Sequence, residues 1–121
     1  MKALFDTNIL IDYLNVVEPA REEIARARER FISIVTWREV LAGARTDDEE
    51  DVVELFLRDF TVVDLTRRIA REAVGIRRAR RVRLPDAIVW ASARSQTAVL
   101  VTRNTRDFPP GESGVRVPYE L

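Results

Sequence analysis

The feature that most constrains the fold of this 121-residue chain is an alternation of short apolar runs with longer segments of helical spacing. The apolar runs are short and bounded, as buried strands are, and they lie at Ala3–Phe5, Phe31–Val35, Val62–Leu65, Val99–Val101 and Val115–Val117. Helices are predicted between them, over Ile9–Leu14, Glu18–Glu29, Trp37–Ala44, Asp51–Phe60, Arg67–Arg78 and Asp86–Ser95. Because strands that alternate with helices build a mainly parallel sheet covered on both faces, we predict an α/β fold, a three-layer α/β/α sandwich.

The length of the chain indicates a single domain over residues 1–121. A chain of this size buries roughly two-thirds of its unfolded surface in one core. No segment approaches the roughly 20 apolar residues that cross a bilayer. Asp6 and Asp12 interrupt the N-terminal apolar stretch, which is unlike a signal peptide. We therefore expect a soluble, cytoplasmic protein that has no membrane partner.

The chain contains neither cysteine nor histidine. Without cysteine there is no disulfide framework, no zinc thiolate site and no thiol nucleophile. Without histidine the commonest general base and the commonest metal-binding nitrogen are missing. Any hydrolytic chemistry must therefore depend on carboxylates, hydroxyls, arginine or a bound metal ion, and a metal ion activates water without a protein base.

Four acidic residues stand at or just after the end of an apolar run: Asp6, Glu39, Asp86 and Asp107. In α/β proteins the active site gathers outside the carboxyl ends of the strands. Carboxylates clustered at that edge would hold a divalent metal ion through hard oxygen ligands. If the four converge, their mutual repulsion should raise their pKa values, and a divalent cation would relieve that repulsion.

Each of these acids also has a purely structural explanation. Asp6 stands at a strand-to-helix junction, where it would cap the first helix, and Thr36 with Glu39 spells a capping box. Asp86 follows a proline, as first-turn residues of helices do, and Asp107 lies in a polar loop of the kind in which aspartates cap or turn the chain. Helix starts that follow parallel strands open at one edge of the sheet. Capping and metal-binding positions therefore coincide there, and both explanations stay open.

A basic block precedes Asp86 and consists of Arg77, Arg78, Arg80, Arg81 and Arg83. Arginine forks bind phosphate oxygens in pairs, so these residues are candidates for RNA binding. A solvated helix face explains the same charges equally well. The formal net charge of the chain is zero, so the molecule as a whole does not attract a polyanion.

Four ordered motifs span the chain from Phe5 to Phe108. The first motif is D-T-N at the end of the first strand (Asp6, Thr7, Asn8), and the second is S-x-x-T-x-x-E followed by a glycine (Ser33, Thr36, Glu39, Gly43). The third is L-P-D-A, which contains Asp86 and opens an alanine-rich helix. The fourth is T-x-N-x-x-D-F after a late strand (Thr102, Asn104, Asp107, Phe108). In order and separation these motifs resemble a PIN domain. They are most similar to the small single-domain VapC toxins of prokaryotic type II toxin–antitoxin systems.

The resemblance implies a five-stranded parallel sheet and an endoribonuclease that depends on Mg²⁺ or Mn²⁺. Carried over by motif, the acidic quartet around the metal would be Asp6, Glu39, Asp86 and Asp107. The polar residues that support this quartet would be Thr7, Asn8, Thr102 and Asn104. The resemblance also implies an RNA substrate, a homodimer, and a small cognate antitoxin of the VapB type whose tail covers the acidic cleft, often with an arginine.

The predicted helix over Trp37–Ala44 carries an apolar stripe formed by Trp37, Val40, Leu41 and Ala44. Ordinary packing on the sheet explains this stripe, and contact with an antitoxin is the alternative. Glu39 lies on roughly the opposite side of the same helix, at about 100° per residue.

Other functions compete with a nuclease. A catalytically inactive PIN-like scaffold would bind RNA or a partner without cutting, and the complete quartet argues against it. A phosphoacceptor domain of the receiver type would use Asp64, but it needs a lysine late in the chain, and the only lysine is Lys2. A structure-specific DNA nuclease of the flap-endonuclease branch would carry long insertions and extra acids that this chain lacks.

Overall fold

The computed structural model describes residues 1–121 and contains five strands and six helices. The strands are β1 (Lys2–Phe5), β2 (Glu29–Ser33), β3 (Thr61–Val63), β4 (Val99–Val101) and β5 (Val115–Arg116). The helices are α1 (Thr7–Leu14), α2 (Glu18–Arg26), α3 (Ile34–Ala42), α4 (Asp47–Leu57), α5 (Arg67–Arg80) and α6 (Leu84–Ser95). None of the helices combines the length and the apolar character that a membrane crossing requires.

The five strands form one parallel sheet in the order β3-β2-β1-β4-β5. In the central register Leu4 of β1 lies opposite Phe31 of β2 and Leu100 of β4. The chain extends the sheet in one direction from β1 to β3 and then crosses to the other side of β1 for β4 and β5. This reversal opens a crevice at the carboxyl ends of β1 and β4, where ligands bind in open α/β sheets.

Both faces of the sheet are covered, which confirms the three-layer α/β/α prediction. Successive residues of a strand point to opposite faces, and β1 shows this directly, because Leu4 joins one buried cluster while Ala3 and Phe5 join another. The first cluster packs α5 and α6 on the sheet, with Trp90 and Phe108 in an edge-to-face contact at 5.4 Å between ring centroids. The second cluster packs α1, α2 and α4 on the opposite face.

The junction between β2 and α3 differs from the prediction. The apolar run continues beyond the strand, but β2 ends at Ser33 and α3 begins at Ile34. Ser33 is the N-cap, because its hydroxyl accepts a hydrogen bond from the backbone N–H of Val35 at 3.1 Å. The capping box expected for Thr36 and Glu39 is therefore wrong, since both residues lie inside the helix.

Helix α4 begins four residues before its predicted start at Asp51. Thr46 is its N-cap and accepts a hydrogen bond from the N–H of Glu49 at 3.1 Å. The Glu49 carboxylate in turn accepts one from the N–H of Arg45 at 2.6 Å. The acidic run from Asp47 thus forms the first turn, where negative charge is favoured by the helix dipole.

A tight turn joins α5 to α6 and carries two of the five arginines of the basic block. Arg81 ends α5 in the left-handed conformation, with φ of 56°, and such a residue reverses the chain at a helix C-terminus. Arg83 then precedes α6, which has a proline in its first turn. The turn places Asp86 on the first turn of α6.

Candidate active site

Asp6 lies at the carboxyl end of β1, in the crevice where the strand order reverses. Its side chain is 5% exposed, and its Oδ1 caps α1 by accepting a hydrogen bond from the N–H of Thr7 at 2.8 Å. Its Oδ2 accepts hydrogen bonds from the hydroxyl of Thr102 at 2.8 Å and from the side-chain amide of Asn8 at 3.2 Å. All these donors are neutral, so the carboxylate is oriented but its charge is not balanced by a cation.

The environment of Asp6 raises the pKa of its carboxyl above the ordinary value. Burial is the largest cause, and the charge of Glu39 adds to it, while the hydrogen bonds from Thr102 and Thr7 work in the opposite direction. A buried acid without a positive partner favours either a proton or a bound cation. Asp6 is therefore predisposed to hold a cation.

Glu39 reaches Asp6 indirectly, through Thr7. It projects from α3 with an exposed side chain, and its Oε1 accepts a hydrogen bond from the hydroxyl of Thr7 at 2.8 Å. The hydroxyls of Thr7 and the buried Thr36 lie 3.0 Å apart. Because Thr7 has one hydroxyl proton and donates it to Glu39, Thr36 must be the donor between the two threonines. This chain of hydroxyls fixes where Glu39 stands relative to β1.

Asp86 and Asp107 form the other half of the site, from the first turn of α6 and from the loop after β4. The Asn104 side-chain amide donates to Asp107 Oδ2 at 3.0 Å, and its oxygen accepts from the Asp107 N–H at 3.2 Å. Arg83 lies between the two acids: its Nη2 is 3.3 Å from Oδ2 of Asp86 and 3.3 Å from Oδ2 of Asp107. Its Nε is also 3.3 Å from Asp86 Oδ2.

The two acids of this half titrate differently. The pKa of Asp86 is raised to about 6, first by burial, then by its hydrogen bond with Asp107 and by the charges of Asp6 and Asp107, which together outweigh Arg83. The pKa of Asp107 is lowered, chiefly by the hydrogen bond from Asn104 and also by those with Asp86 and Arg83. The expectation that repulsion would raise every pKa in the quartet is therefore wrong for Asp107, because neighbouring donors stabilise its charged form.

The quartet is thus arranged as two pairs at one edge of the sheet. Asp6 and Glu39 are linked through Thr7, and Asp86 and Asp107 are linked through Arg83. No three acidic side chains, as they stand, converge on a point where one metal ion would touch all of them. The donors nevertheless fit Mg²⁺ or Mn²⁺, because all are carboxylate oxygens, the ligands that these hard ions prefer. The arginine already between two of them shows that the site attracts positive charge.

The five arginines of the basic block take different roles in the folded structure. Arg83 contacts the acids, and Arg80 pairs with Glu112 and lies 5.2 Å from the ring centroid of Trp90. The remaining three are exposed and form no ion pair: Arg77, Arg78 and Arg81. No local pattern in the chain indicates that one arginine of the block faces the acids rather than solvent.

A buried ion pair next to the site was not anticipated. Asp12 of α1 is 5% exposed and is bound by Arg103, with Nε to Oδ2 at 2.5 Å and Nη2 to Oδ1 at 3.0 Å, and by the hydroxyl of Tyr119 at 2.8 Å. The N–H of Arg103 donates to Asn8 Oδ1 at 3.0 Å. Arg103 thus ties the loop after β4 to α1. The available signal was Asp12 itself, an acid within an otherwise apolar helical stretch.

A groove runs beside Glu39 between α1, α3 and α4. It has a volume of about 660 Å³ and is lined by apolar side chains, such as Ile11, Val40 and Val52, and by charged ones, such as Glu39 and Asp48. The predicted apolar stripe of α3 packs on the core, with Val40 buried and its other three members partly buried. Packing therefore accounts for the stripe, although its edge also lines the groove.

Comparison with known proteins bears on the family and the fold of this chain. Residues 3–109 match the sequence profile of a family described as PIN domain, and a search of curated proteins finds no match. The fold is similar to a toxin–antitoxin complex from Klebsiella pneumoniae, with 39% identity over 98% of this chain and 99% of that chain and a TM-score of 0.92. DNA-bound VapBC from Salmonella typhimurium shares 29% identity over 96% of both chains, with a TM-score of 0.75. FitAcB from Neisseria gonorrhoeae shares the fold at 19% identity over 98% of this chain and 99% of that chain, with a TM-score of 0.79.

Proposed function

This chain belongs to the PIN domain family, and we propose that it is a metal-dependent endoribonuclease acting as the toxin of a VapBC-type toxin–antitoxin pair. The observation that carries the proposal is Asp6, a buried carboxylate at the topological switch point with three neutral donors and no cationic partner. Similarity over nearly the entire chain to a toxin–antitoxin complex supports the biological role.

The proposed reaction is hydrolysis of an RNA phosphodiester. A bound Mg²⁺ or Mn²⁺ would supply an activated water and offset the charge that develops on the leaving oxygen. Asp6 and Asp86 are assigned as direct ligands, because one is the most buried acid of the site and the other has a raised pKa near neutrality. Glu39 and Asp107 complete the site directly or through water, since magnesium keeps several waters.

The polar residues of the site hold these acids in place. Thr7, Asn8 and Thr102 orient Asp6 through the three hydrogen bonds described, and Asn104 orients Asp107 through two. Fixed donors of this kind keep a ligand set within the narrow geometry that a metal ion needs. Loss of one such donor should weaken metal binding without removing a ligand.

The exposed part of the basic block is the proposed RNA contact. Arg77, Arg78 and Arg81 stand at the end of α5 and the turn after it, adjacent in the chain to the α6 start that carries Asp86. Arginine contacts to phosphate position a nucleic acid without reading its bases. Salt should therefore weaken RNA binding.

The proposed partner is a small antitoxin of the VapB type, and the proposed assembly is a cytoplasmic homodimer of the toxin with that antitoxin bound. The partly apolar groove beside Glu39 offers such a partner a surface that reaches this acid of the quartet. A tail lying in this groove would reach the metal site and block it.

The proposal is tested by incubating total cellular RNA with the purified, partner-free protein in Mg²⁺, Mn²⁺ or chelator. Asp6→Asn and Asp86→Asn are compared with Asp64→Asn, an exposed aspartate after β3 that serves as the matched control. We expect metal-dependent cleavage in the wild type and the control, reduced by about 10³-fold in the two site variants, equivalent to about 4 kcal/mol of transition-state stabilisation. Circular dichroism checks that the variants stay folded.

The chemistry of the cut ends gives a second test. Hydrolysis by water with the 3′-oxygen as the leaving group would give a 5′-phosphate and a 3′-hydroxyl, whereas attack by the ribose 2′-hydroxyl leaves a 2′,3′-cyclic phosphate. Cyclic ends would contradict the proposed mechanism. Metal binding without turnover on any RNA would favour the inactive PIN-like scaffold instead.

A receiver-type phosphoacceptor function has little support. Lys2 lies at the start of β1, at the edge of the sheet opposite the acids, with its Nζ 5.7 Å from the ring centroid of Phe31. Asp64 is exposed. Labelling of Asp64 by acetyl phosphate would be needed to revive this function.

A further inference from the structure

Arg83 occupies an unusual place for a cation. It is the N-cap residue of α6, where short polar side chains are preferred, and it makes no side-chain cap hydrogen bond. Its side chain is 76% exposed, yet the guanidinium lies over the acidic edge and contacts Asp86 and Asp107 together.

Arg83 contacts carboxylate oxygens that would also bind a metal ion. Both ion pairs involve the Oδ2 atoms, of Asp86 and of Asp107, each at 3.3 Å from the same Nη2. A guanidinium nitrogen placed between two carboxylates screens their repulsion, as a divalent ion would. Both cations would place positive charge at the same two oxygens, where they repel each other, so each weakens the binding of the other.

We propose that Arg83 is an intrachain counter-ion that competes with the divalent cation for Asp86 and Asp107 and thereby sets the metal affinity of the site. The inference rests on the proposed metal-dependent function. Arg83 acts here as a positioning residue: it holds the two acids together when no metal is bound and leaves them when metal arrives.

The strength of the contacts suits such an exchange. Ion pairs with an exposed partner are weak because solvent screens them, and those of Arg83 are long for charge-assisted hydrogen bonds. A divalent ion with twice the charge should therefore displace the guanidinium. The competition should weaken metal binding by about three- to tenfold rather than abolish it.

The test is calorimetric titration of Mn²⁺ into the metal-free protein, without RNA, for the wild type, Arg83→Gln, Arg83→Lys and Arg78→Gln. Arg78 is the matched control, because it belongs to the same basic block but contacts no acid, so its loss reports only the general effect of removing a positive charge. Asp86→Asn provides the reference for a damaged metal site. All the substituted arginines are exposed, so folding should be preserved.

We expect Arg83→Gln to bind Mn²⁺ about three- to tenfold more tightly than the wild type, and Arg78→Gln to bind like the wild type. Arg83→Lys should fall between them, since an ammonium keeps the charge but lacks the planar fork. The rise in melting temperature on adding Mn²⁺ should also be larger in Arg83→Gln.

Equal affinities in the wild type and Arg83→Gln would overturn the inference and leave the metal site and the proposed nuclease intact. Equal tightening by Arg78→Gln would also overturn it, because the effect would then be general electrostatics. If neither the wild type nor Arg83→Gln binds Mn²⁺, the inference and the proposed metal-dependent function both fail. Binding that is detectable only in Arg83→Gln would support the inference in its strongest form.

Discussion

Asp6 caps the start of α1 and Asp12 lies in its last turn, and both are 5% exposed. The charge of Asp12 is neutralised by a cation within the fold, whereas that of Asp6 is not. Burial acts to raise the pKa of Asp12, and Arg103 and Tyr119 overcome it, so that the pKa falls below its ordinary value. Asp6 has only neutral donors, and its pKa rises. An acid balanced within the fold is structural, and an acid left unbalanced is available to a ligand.

The difference also explains how the site is built around Asp6. The structural pair of Asp12 and Arg103 lies directly behind the acidic edge, and the backbone of Arg103 holds Asn8, which in turn donates to Asp6. The ion pair of Asp12 and Arg103 therefore helps to hold the unneutralised carboxylate of Asp6 in place. The cost of keeping Asp6 unbalanced is met by packing and hydrogen bonds elsewhere in the fold, as at other functional sites.

The largest expected effect is that of Arg103→Met, which removes the cationic partner of the structural acid Asp12. This change leaves Asp12 buried and charged with only Tyr119 as a partner, and we expect a loss of about 3 kcal/mol in the free energy of unfolding. Urea denaturation measures it, with Arg106→Met, an exposed arginine of the same loop, as the control.

Adding Asp12→Leu to Arg103→Met should sharpen the result. A buried pair replaced by apolar side chains is often neutral in stability, so the double variant should recover most of the loss. A double variant as unstable as the single one would mean that Arg103 stabilises the loop by packing and not through the charge of Asp12.

A smaller effect is expected from Thr102→Val, which acts on the Asp6 side. Thr102 is fully buried, donates to Asp6 Oδ2 and accepts from the N–H of Asn104 at 3.0 Å. Valine keeps the shape but leaves these groups without their partner, and we expect a loss of about 1–2 kcal/mol. Thr105→Val, at an exposed position of the same loop, should change stability by less than about 0.5 kcal/mol. Equal losses in the two variants would contradict the assigned hydrogen bonds.

The last expected effect is a pH dependence that belongs to Asp86. Its pKa is raised from 3.8 to about 6, so between these values the folded protein holds a proton that the unfolded chain has lost. The contribution of Asp86 to stability therefore falls as pH rises through this range. In chelator, the stability of Asp86→Asn relative to the wild type should increase from about pH 4 to about pH 6 and stay level above it. A constant difference across this range would show that Asp86 is not perturbed.

Local patterns predicted the strands, helices and layers because apolar periodicity is a local property of the chain. They misplaced the start of α3, where the apolar run crosses from strand to helix and only Ser33, as N-cap, marks the boundary. Local patterns did not predict the strand order, because the order depends on which strands pair with each other. Asp6 and Thr102, 96 positions apart, touch only because β1 and β4 are neighbours.

The motifs identified the acids and the polar residues around them, but they did not indicate which of the buried charges would be neutralised. Whether an aspartate is neutralised depends on side chains far away in sequence: Arg103 is 91 positions from Asp12, and Tyr119 is 107 positions away. Arg83 belonged to a basic block that suggested phosphate binding, and its position between two acids follows from the turn that joins α5 to α6.

The most direct test compares Asp6→Asn with Asp12→Asn by urea denaturation, in chelator and then in Mn²⁺. Asparagine can still cap α1, so Asp6→Asn removes the charge and keeps the cap. In chelator we predict that Asp12→Asn is less stable than the wild type and that Asp6→Asn loses less stability than Asp12→Asn. Mn²⁺ at about 100 times its dissociation constant should then add about 2.7 kcal/mol to the wild type and to Asp12→Asn, and almost nothing to Asp6→Asn. If the two variants lose stability alike in chelator and gain alike from Mn²⁺, the unbalanced charge of Asp6 is not reserved for a metal ion.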